Sequence, residues 1–356
     1  MNTVYLHPMV ARLFATLNTN VTTQSTSGAS LTAEMKTFYS NNLIDLAEPE
    51  LVHDQFGQKH PIPKNGGKTI EFRKYSSLPK ATTALTEGVT PNGQSLNVTT
   101  LTATVSQYGG YVTLSDVLLL AAIDNNLMQA SKLLASQAGR TLDTITREVL
   151  NGGTNVYYCA SGVTDKANLV GGSATASDNN TLTVDDIRRA VRKLKTMNTP
   201  KINGGYVAII HPDVSYDLMS DPEWQRPHEY VDTDNIYAGE IGRIAGCRFV
   251  ETTEAKVWKK AAKDKSSGTA EAGDGSTKGW DVYSTLVLGA DAYGITEITG
   301  GGLQMIIKQL GSAGTEDPLD QRATAGWKAI KVAERLVEEY MIRVMSVSSF
   351  NDATAN

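Results

Sequence analysis

The sequence has few cysteines and no excess of positive charge. Cys159 and Cys247 are the only two cysteines in 356 residues, and there is no CxxC pair and no histidine at metal-ligand spacing. This excludes a disulfide scaffold and a zinc site, and we expect two reduced, small apolar side chains. With 33 Lys and Arg against 38 Asp and Glu, the net charge is −5. This net charge argues against a protein whose main function is to bind nucleic acid by neutralising its phosphates.

Long apolar runs are also absent. The sequence contains no stretch of about 18 apolar residues, which argues against a membrane span. The first residues, MNTVYLHPMVARLF, have no basic segment leading into a hydrophobic one, which argues against a secretory signal. We expect a protein that is made and folds in a cytosol. Its 40% hydrophobic and 20% charged residues are typical of globular proteins, and its length predicts two or three packed units.

Familiar catalytic and cofactor motifs are missing as well. Gly66-Gly67-Lys68-Thr69 resembles the end of a phosphate-binding loop, but Ile62 stands where that motif requires glycine. The glycines of GEIGRIAG (239–246) lack the dinucleotide-binding spacing, so a tight turn is the better interpretation. None of the five histidines lies in a metalloprotease or nucleophile-elbow motif. The sequence predicts no catalytic residue, no cofactor and no metal.

Two alternating patterns predict a long hairpin. Ile70 and Phe72 alternate with polar residues over 68–75, and Leu101, Ala103 and Val105 do so over 96–106. The segment between them is rich in turn residues and predicts a polar tip. Two strands alone are at best marginally stable, so this hairpin needs a surface to lie on. That surface is either its own domain or another molecule.

The strongest periodic pattern covers residues 115–150 and predicts one helix about 50 Å long, ended by Asn151-Gly152-Gly153. Apolar residues recur at steps of three and four and define a narrow buried stripe: Leu120, Ile123, Leu127, Ala130, Leu134, Ala138, Leu142, Ile145 and Val149. The spacing does not keep a strict heptad, so a strut packed along a sheet or another helix fits better than a coiled coil.

The remaining sequence predicts an α+β unit. Thr183 caps an amphipathic helix, and His211-Pro212-Asp213 begins a short one. Strands are expected at 204–211, 247–252, 282–289 and 303–310, with alternation again at 340–344. Small polar residues predict loops at 18–30, 151–182 and 259–279, the last a mobile surface loop, and a short helix is expected near Met35 to Leu43.

One predicted helix carries dense positive charge. Five of the eight residues from position 188 to 195 are basic: Arg188, Arg189, Arg192, Lys193 and Lys195. Three interpretations stay open, namely a solvated face, a contact with an acidic neighbour and a patch that faces DNA.

Four segments, spread along the whole chain, carry a resemblance to a known family. They lie at 78–116, 208–214, 239–252 and 293–329 and include LPKATTALTEGVTPNG, AIIHPDV, GEIGRIAGCRFVET and YGITEITGGGLQMIIKQL. Together they resemble the major capsid proteins of tailed phages with the Hong Kong 97 type shell fold, in particular the branch typified by coliphage N-four.

The resemblance implies an α+β capsid fold with four parts. They are an N-terminal arm (1–57), an E-loop hairpin (58–113), a peripheral domain (114–182 and 310–356) with spine helix 115–150, and an axial domain (183–309) that carries the loop 259–279. It also implies an icosahedral virion shell of pentamers and hexamers, assembled in the host cytoplasm around double-stranded DNA. Scaffolding, portal and decoration proteins are the implied partners. The net charge of −5 leads us to expect weak, non-specific contact with the packaged DNA.

For the site, the resemblance implies assembly contacts instead of catalysis. The contact residues expected in the E-loop are Lys80, Thr82, Leu85, Glu87, Pro91 and Asn92. Some relatives join an E-loop lysine to a neighbour's asparagine, and Lys80 is the one lysine between Tyr75 and Ser131. No acceptor or catalytic carboxylate is identifiable, so we expect a shell held without covalent links. The rivals are an encapsulin-like compartment around a cargo enzyme and a soluble α/β enzyme without a familiar motif.

Overall fold

The computed structural model describes residues 19–20, 52–63, 65–75, 78–85, 87–90, 92–121, 126–175, 178–224, 240–275, 277–296, 303–312 and 317–351. The strands are β1 (Thr19–Asn20), β2 (Gln58–Lys59), β3 (Thr69–Tyr75), β4 (Val98–Thr104), β5 (Ser106–Ser115), β6 (Val156–Tyr158), β7 (Val170–Gly171), β8 (Tyr206–Ile210), β9 (Glu240–Ile244), β10 (Cys247–Glu251), β11 (Val257–Asp264), β12 (Trp280–Leu288), β13 (Tyr293–Thr296), β14 (Gln304–Lys308), β15 (Arg322–Arg335) and β16 (Met341–Ser346). The helices are α1 (Asp116–Ala121), α2 (Asn126–Asn151), α3 (Val184–Thr196) and α4 (Pro212–Met219), with short 3₁₀ helices at Lys166–Asn168 and Glu338–Tyr340. Strands and helices intermix along the chain, as the sequence predicts for an α+β protein.

The chain divides into two compact units. Unit 1 comprises residues 1–48, 107–138 and 302–329, and unit 2 comprises 49–106, 139–301 and 330–356. Helix α2 and strand β15 contribute residues to both units.

Unit 1 contains a sheet in which β15 pairs with β5 along one edge and with β14 along the other. The strands β5 and β15 approach closely at Gly109, where a Cβ atom would lie 2.6 Å from the carbonyl oxygen of Trp327. The indole Nε1 of Trp327 donates a hydrogen bond to Oε1 of Gln137 at 3.2 Å. This bond fixes helix α2 against one face of the sheet.

Unit 2 is built on an eight-stranded sheet in the order β6-β16-β12-β8-β10-β9, with β11 paired to β12 and β7 paired to β11. The central strands β8 and β10 run parallel, and β12 is antiparallel to both β8 and β16. Ala245 and Gly246, with φ of 52° and 83°, join β9 to β10. Positive φ at both residues is typical of the two-residue hairpin turn. The turn predicted within 239–246 is therefore present, and the residues before it form β9.

Both faces of this sheet are buried. One face packs against helices α3 and α4 through Ile187, Val191, Leu194, Val214 and Leu218. The other packs against the end of α2 and the segment 52–56 through Leu150, Val52 and Phe56. Helix α3 begins with the predicted cap. The side chain of Thr183 accepts a hydrogen bond from the backbone N–H of Asp186, and the side chain of Asp186 accepts one from the backbone N–H of Thr183. Local signals and apolar periodicity thus agree in this part of the chain.

The predicted hairpin is present as a separate two-stranded sheet of β3 and β4 within unit 2. Thr69 lies opposite Thr104, and Tyr75 lies opposite Val98. The predicted alternation is confirmed, because Ile70, Phe72, Leu101, Ala103 and Val105 are buried or half-buried while the residues between them are exposed.

The helix predicted over 115–150 is described as α1 and α2, and residues 122–125 lie outside the described residues. Leu134, Ala138 and Leu142 are buried as predicted. Leu120 is 84% exposed, which contradicts its place in the buried stripe, and Leu118 is the buried residue of α1. Residues 118–120 are three consecutive leucines, so periodicity alone leaves the phase of α1 undecided.

The loop predicted over 259–279 is wrong in its first part. Residues 257–264 form β11, which pairs with β12 so that Val257 lies opposite Tyr283. Trp258 and Trp280 pack with Ala262 and Leu169 in a small separate core, and this burial overrides the lysine- and alanine-rich composition. The described residues after Asp264 form turns.

Three short strands from distant parts of the chain complete the eight-stranded sheet. They are β6 and β7, from the range 114–182, and β16, from the range 310–356, and they join strands of the range 183–309. The helix expected near Met35 to Leu43 and most of the arm 1–57 lie outside the described residues.

Candidate assembly surfaces

The residues predicted to make assembly contacts lie on the hairpin tip, between β3 and β4. Lys80, Thr82, Leu85, Glu87 and Asn92 are all exposed. The sixth, Pro91, lies outside the described residues. The hairpin places these side chains on one protruding segment and not around a pocket, which suits a contact surface better than a catalytic site.

The tip is less polar than its turn-rich sequence indicates. Four large apolar side chains, Leu78, Leu85, Val89 and Leu96, are 50%, 76%, 62% and 65% exposed. Tyr75 and Val98, which face each other at the ends of β3 and β4, are exposed as well. Such a concentration of exposed apolar side chains marks an interaction surface.

The base of the hairpin is fixed to its own unit. The rings of Phe72 and His60 meet edge to face at 5.4 Å, and Cζ of Phe72 lies beside Gly294. Nζ of Lys74 lies 3.3 Å from Oε2 of Glu339. The described residues between β3 and β4 are all exposed, so the hairpin is fixed at its base and open to solvent at its tip.

Unit 1 carries the other concentration of exposed apolar side chains. Eleven of them are large and exposed: Tyr111, Val117, Leu120, Met128, Leu133, Leu303, Met305, Ile306, Ile307, Leu310 and Leu319. With the six on the hairpin they make seventeen of the twenty-one such side chains among the described residues. The eight-stranded sheet, by contrast, buries both of its faces. Unit 1 and the hairpin are therefore the parts of the chain suited to burying surface against another molecule.

One sequence pattern lies on the unit 1 surface. Strand β14 reads Met305-Ile306-Ile307 without alternation, a pattern that also fits a buried strand. In the structure all five residues of β14 are exposed. An unbroken apolar run therefore fits both a buried strand and an exposed contact strand, and only the tertiary structure shows which of the two is present.

The predicted basic patch is partly neutralised within the chain. Arg188 pairs with Glu223, and Nη2 of Arg189 lies 2.8 Å from Oδ2 of Asp185. The remaining three cations of helix α3 form no ion pair with a described carboxylate: Arg192, Lys193 and Lys195. Among the described residues the patch thus keeps three positive charges without a carboxylate partner, which is a small number for a nucleic-acid surface.

Buried polar groups serve as structural connections. His211 caps helix α4, as predicted, because its Nδ1 accepts a hydrogen bond from the backbone N–H of Asp213 at 3.2 Å. Cys159 and Cys247 are buried and form no disulfide, and burial raises the pKa of both thiols. The hydroxyl of Tyr157 donates to Oδ1 of Asp186 at 2.8 Å, and burial together with this bond raises the pKa of Tyr157 to about 12. These groups are therefore in forms that suit packing and not nucleophilic chemistry.

The glycine pair that resembles a phosphate-binding loop leads into a strand. Gly67 has a φ of 90°, and Thr69 begins β3. A phosphate-binding loop requires a helix N-terminus at this position. Within the described ranges, no group of three or more His, Cys, Asp or Glu side chains could hold a metal ion. None of the helices described here has the length and hydropathy needed to cross a membrane.

The comparisons with known proteins agree on one class. Residues 22–309 match the model of a family described as phage capsid protein. No curated protein matches the chain. The capsid of Ralstonia phage GP4 is similar with a TM-score of 0.63 and 16% identity, over 94% of this chain and 100% of that chain. The capsid of cyanophage P-SCSP1u is similar with a TM-score of 0.62 and 14% identity, over 89% and 94%.

A third similar structure, from Mycobacterium phage Che8, has a TM-score of 0.53 and 11% identity over 86% of this chain and 96% of that chain. These likenesses show the α+β fold of Hong Kong 97 type capsid proteins. The encapsulin-like compartment and the soluble enzyme are not favoured. Since the family model covers most of the sequence, the chain belongs to the phage capsid protein family and is a major capsid protein of a virion shell.

Proposed function

We propose that this capsid protein closes its shell by laying the β3–β4 hairpin over a neighbouring subunit, in the manner of an E-loop. The observation that carries the proposal is the hairpin's distribution of contacts, fixed at the base and apolar but exposed at the tip. Burial of apolar surface contributes about 25 cal/mol per Å². The tip gains this contribution only when another molecule covers it, so the hairpin favours association.

The proposal assigns each segment of the chain to one part of a capsid subunit. The arm is residues 1–57, and the E-loop, 58–113, consists of the β3–β4 hairpin and the strand β5 that follows it, while α2, β14 and β15 supply the peripheral domain. The axial domain is the eight-stranded sheet, extended beyond 183–309 by β6, β7 and β16. This division puts most of the exposed large apolar side chains on the peripheral domain and the E-loop, where copies would meet.

The wider setting also belongs to the proposal. Pentamers and hexamers form an icosahedral shell around double-stranded DNA in the host cytoplasm, with scaffolding, portal and decoration proteins as partners. The three uncompensated cations of α3 support weak, non-specific contact with the genome. Assembly by apolar burial requires no bond to be made or broken, so the protein acts without catalysis.

Deletion of residues 78–95 tests the role of the hairpin. We expect a soluble subunit with an unchanged circular dichroism spectrum that no longer forms closed particles in electron micrographs. A milder pair of variants controls for the deletion. Leu85→Asp puts a charge on an exposed apolar residue of the tip, and Thr83→Asp puts the same charge on an exposed polar residue nearby. Leu85→Asp should lower the particle yield far more than Thr83→Asp, and normal particles from the deletion variant would contradict the proposal.

A further inference from the structure

Asparagine is followed directly by glycine at four places in this chain. They are Asn65-Gly66, Asn92-Gly93, Asn151-Gly152 and Asn203-Gly204. This dipeptide loses its side-chain amide readily, because the backbone nitrogen of the next residue attacks the side-chain carbonyl carbon and glycine has no Cβ to hinder it. The attack requires an N–H that is not held in a hydrogen bond and a backbone that can bring the two atoms together. The four sites differ in both respects.

Two of the sites are held by hydrogen bonds of the glycine N–H. The N–H of Gly66 donates to the carbonyl of Pro63 at 2.9 Å, and that of Gly152 donates to the carbonyl of Glu148 at 3.0 Å. Asn151, which precedes Gly152, is also buried at the end of α2. Each nitrogen must give up its hydrogen bond before it can attack, so both sites are protected.

The third site is fixed in a tight turn. Asn203 and Gly204 have φ of 47° and 82°, values typical of a two-residue hairpin turn. Ile202 and Gly205, on either side of them, exchange two backbone hydrogen bonds at 2.8 and 3.0 Å. Ring closure at Asn203 changes the backbone of this turn, so both bonds oppose it.

The fourth site has neither restriction. Asn92 and Gly93 lie on the hairpin tip, are exposed and belong to no helix or strand. Among the described residues, neither the side chain of Asn92 nor the N–H of Gly93 forms a hydrogen bond. A Cβ atom at Gly93 would lie more than 4 Å from every described atom beyond its chain neighbours. The attacking nitrogen is therefore accessible and unhindered.

We propose that Asn92 deamidates spontaneously in the unassembled subunit and that the product lowers the entry of aged subunits into the shell. The backbone nitrogen of Gly93 forms a bond to Cγ of Asn92, and the side-chain nitrogen leaves as ammonia, taking the proton of that backbone nitrogen. Water then opens the five-membered imide ring, at one carbonyl to give aspartate and at the other to give isoaspartate. Both products carry a carboxylate in place of a neutral amide, and isoaspartate adds one carbon to the main chain.

The effect on assembly rests on the proposed function. Residues 76–97 contain one cation, Lys80, and one carboxylate, Glu87, so a second carboxylate changes their net charge from 0 to −1. When a neighbouring subunit covers the tip, this new charge loses its contact with water. Burying an unpaired charge is costly, so a modified tip binds its neighbour less well.

Mass spectrometry of aged subunits tests the reaction. The purified, unassembled subunit is kept at neutral pH, and fragmentation of its tryptic peptide 81–132, which contains Asn92 and Asn97, locates the product. Asn97 is the internal control, because it is exposed on the same tip but is followed by Val98. We expect conversion on the order of tenfold faster at Asn92 than at Asn97, since a β-branched residue hinders the attacking nitrogen.

A variant tests the cause of the difference. Gly93→Val puts the same hindrance after Asn92, at a position with room for a Cβ, and should slow its conversion to the rate of Asn97. Equal rates at Asn92 and Asn97 in the wild type would overturn the proposal, and so would faster conversion at any of the other three asparagines that precede glycine. This comparison needs no variant, so it holds even where Gly93→Val does not fold.

A mixing experiment tests the effect on assembly. Aged and fresh wild-type subunits are assembled together, and the modified fraction at position 92 is measured in the particles and in the subunits left free. We expect the modified chains to be depleted several-fold in the particles, whereas aged Gly93→Val should enter as fresh subunits do. Equal fractions overturn this part of the proposal. Leu85→Asp then separates the two causes, because a low particle yield from it keeps the role of the hairpin and rejects the deamidation effect alone, whereas a normal yield rejects the proposed function too.

Discussion

Nδ1 of His53 lies 2.6 Å from Oδ2 of Asp143, and both side chains are buried. The same carboxylate accepts the backbone N–H of His53 at 2.9 Å, and the carbonyl of His53 accepts the hydroxyl of Tyr293. The next residue, Asp54, pairs with Lys331. The segment that leads into the hairpin is thus tied to helix α2 by polar contacts inside unit 2.

We expect Asp143→Ala to destabilise the subunit by about 3–5 kcal/mol, because breaking a buried pair leaves polar groups without partners. The measurement is urea denaturation of the unassembled subunit. Asp185→Ala removes a carboxylate from an exposed pair and should leave the midpoint close to that of the wild type. Equal midpoints for the two variants would show that the His53 contact does not stabilise the fold.

The buried face of α2 gives a second prediction. Leu134 is buried, so Leu134→Ala should cost about 2–5 kcal/mol, and Leu134→Asp more, because it also buries a charge. Lys132→Ala, at an exposed position of the same helix, should change stability by no more than about 0.5 kcal/mol. Thermal denaturation compares them, and similar melting temperatures for Leu134→Asp and Lys132→Ala would refute the burial of this face.

The cap of α4 predicts a dependence on pH. Burial lowers the pKa of His211 below its ordinary value of 6.5, and the carboxylate of Asp213, 3.3 Å from Nδ1, offsets only part of this effect. The unfolded chain therefore takes up the proton first, and stability is lost as the pH falls below 6.5. His211→Asn keeps a capping acceptor but does not titrate.

When the pH is lowered from about 7 to about 5, we expect the melting temperature of the wild type to decrease more than that of His211→Asn. The ring of Tyr283 lies 5.1 Å from that of His211, and its hydroxyl donates to Asp213, so Tyr283→Phe serves as a control that keeps the histidine. Parallel losses in wild type and His211→Asn would exclude His211 as the group that titrates.

Contact with DNA should be weak. The net charge of −5 opposes binding, and we expect a dissociation constant at or above about 10⁻⁴ to 10⁻⁶ M at physiological salt. Replacing Arg192, Lys193 and Lys195 together by glutamine should flatten the salt dependence of the remaining binding. Replacing Arg188 and Arg189, which already have carboxylate partners, should flatten it less. A salt-resistant, sub-micromolar affinity in a gel-shift titration is the result that excludes the weak-contact view.

The shell should be held without covalent links between subunits. Lys80 is exposed on the hairpin and forms no ion pair with the carboxylates in the described part of the chain. Boiling particles in detergent should release one band near 38 kDa. A ladder of multiples that disappears in Lys80→Ala would show instead that this lysine is cross-linked.

Features set by neighbouring residues could be predicted from the sequence. The alternation of β3 and β4, the cap at Thr183 and the cap at His211 each depend on a few residues that are close in the chain. Strand β11 could not be predicted, because Trp258 and Trp280 bury it by meeting from separate segments. The buried face of α1 was predicted wrongly for a similar reason. Only packing against the rest of the protein determines that Leu118 is buried and Leu120 is exposed.

The candidate contact residues also fall into a group that could be predicted from the sequence and a group that could not. The contact residues of the hairpin tip, such as Leu85, could be predicted from the resemblance to capsid proteins, which implies an E-loop at 58–113. The apolar surface of unit 1 could not be predicted, because Met305 and Ile307 have the side chains of a core strand. Their exposure depends on where β14 lies in the folded sheet, which residues next to it in the sequence do not specify.

The position of β16 in the sheet sets an order of events during synthesis. Val344 pairs with Tyr157 on one side and with Thr285 on the other, so β16 joins two strands that precede it by long stretches of chain. A nascent chain that ends before residue 341 leaves both partners with open edges and an unfilled core. Unit 2 can therefore complete its sheet only after residues 341–346 have been added to the chain, so its folding finishes late in synthesis even though β6 and β12 are made earlier.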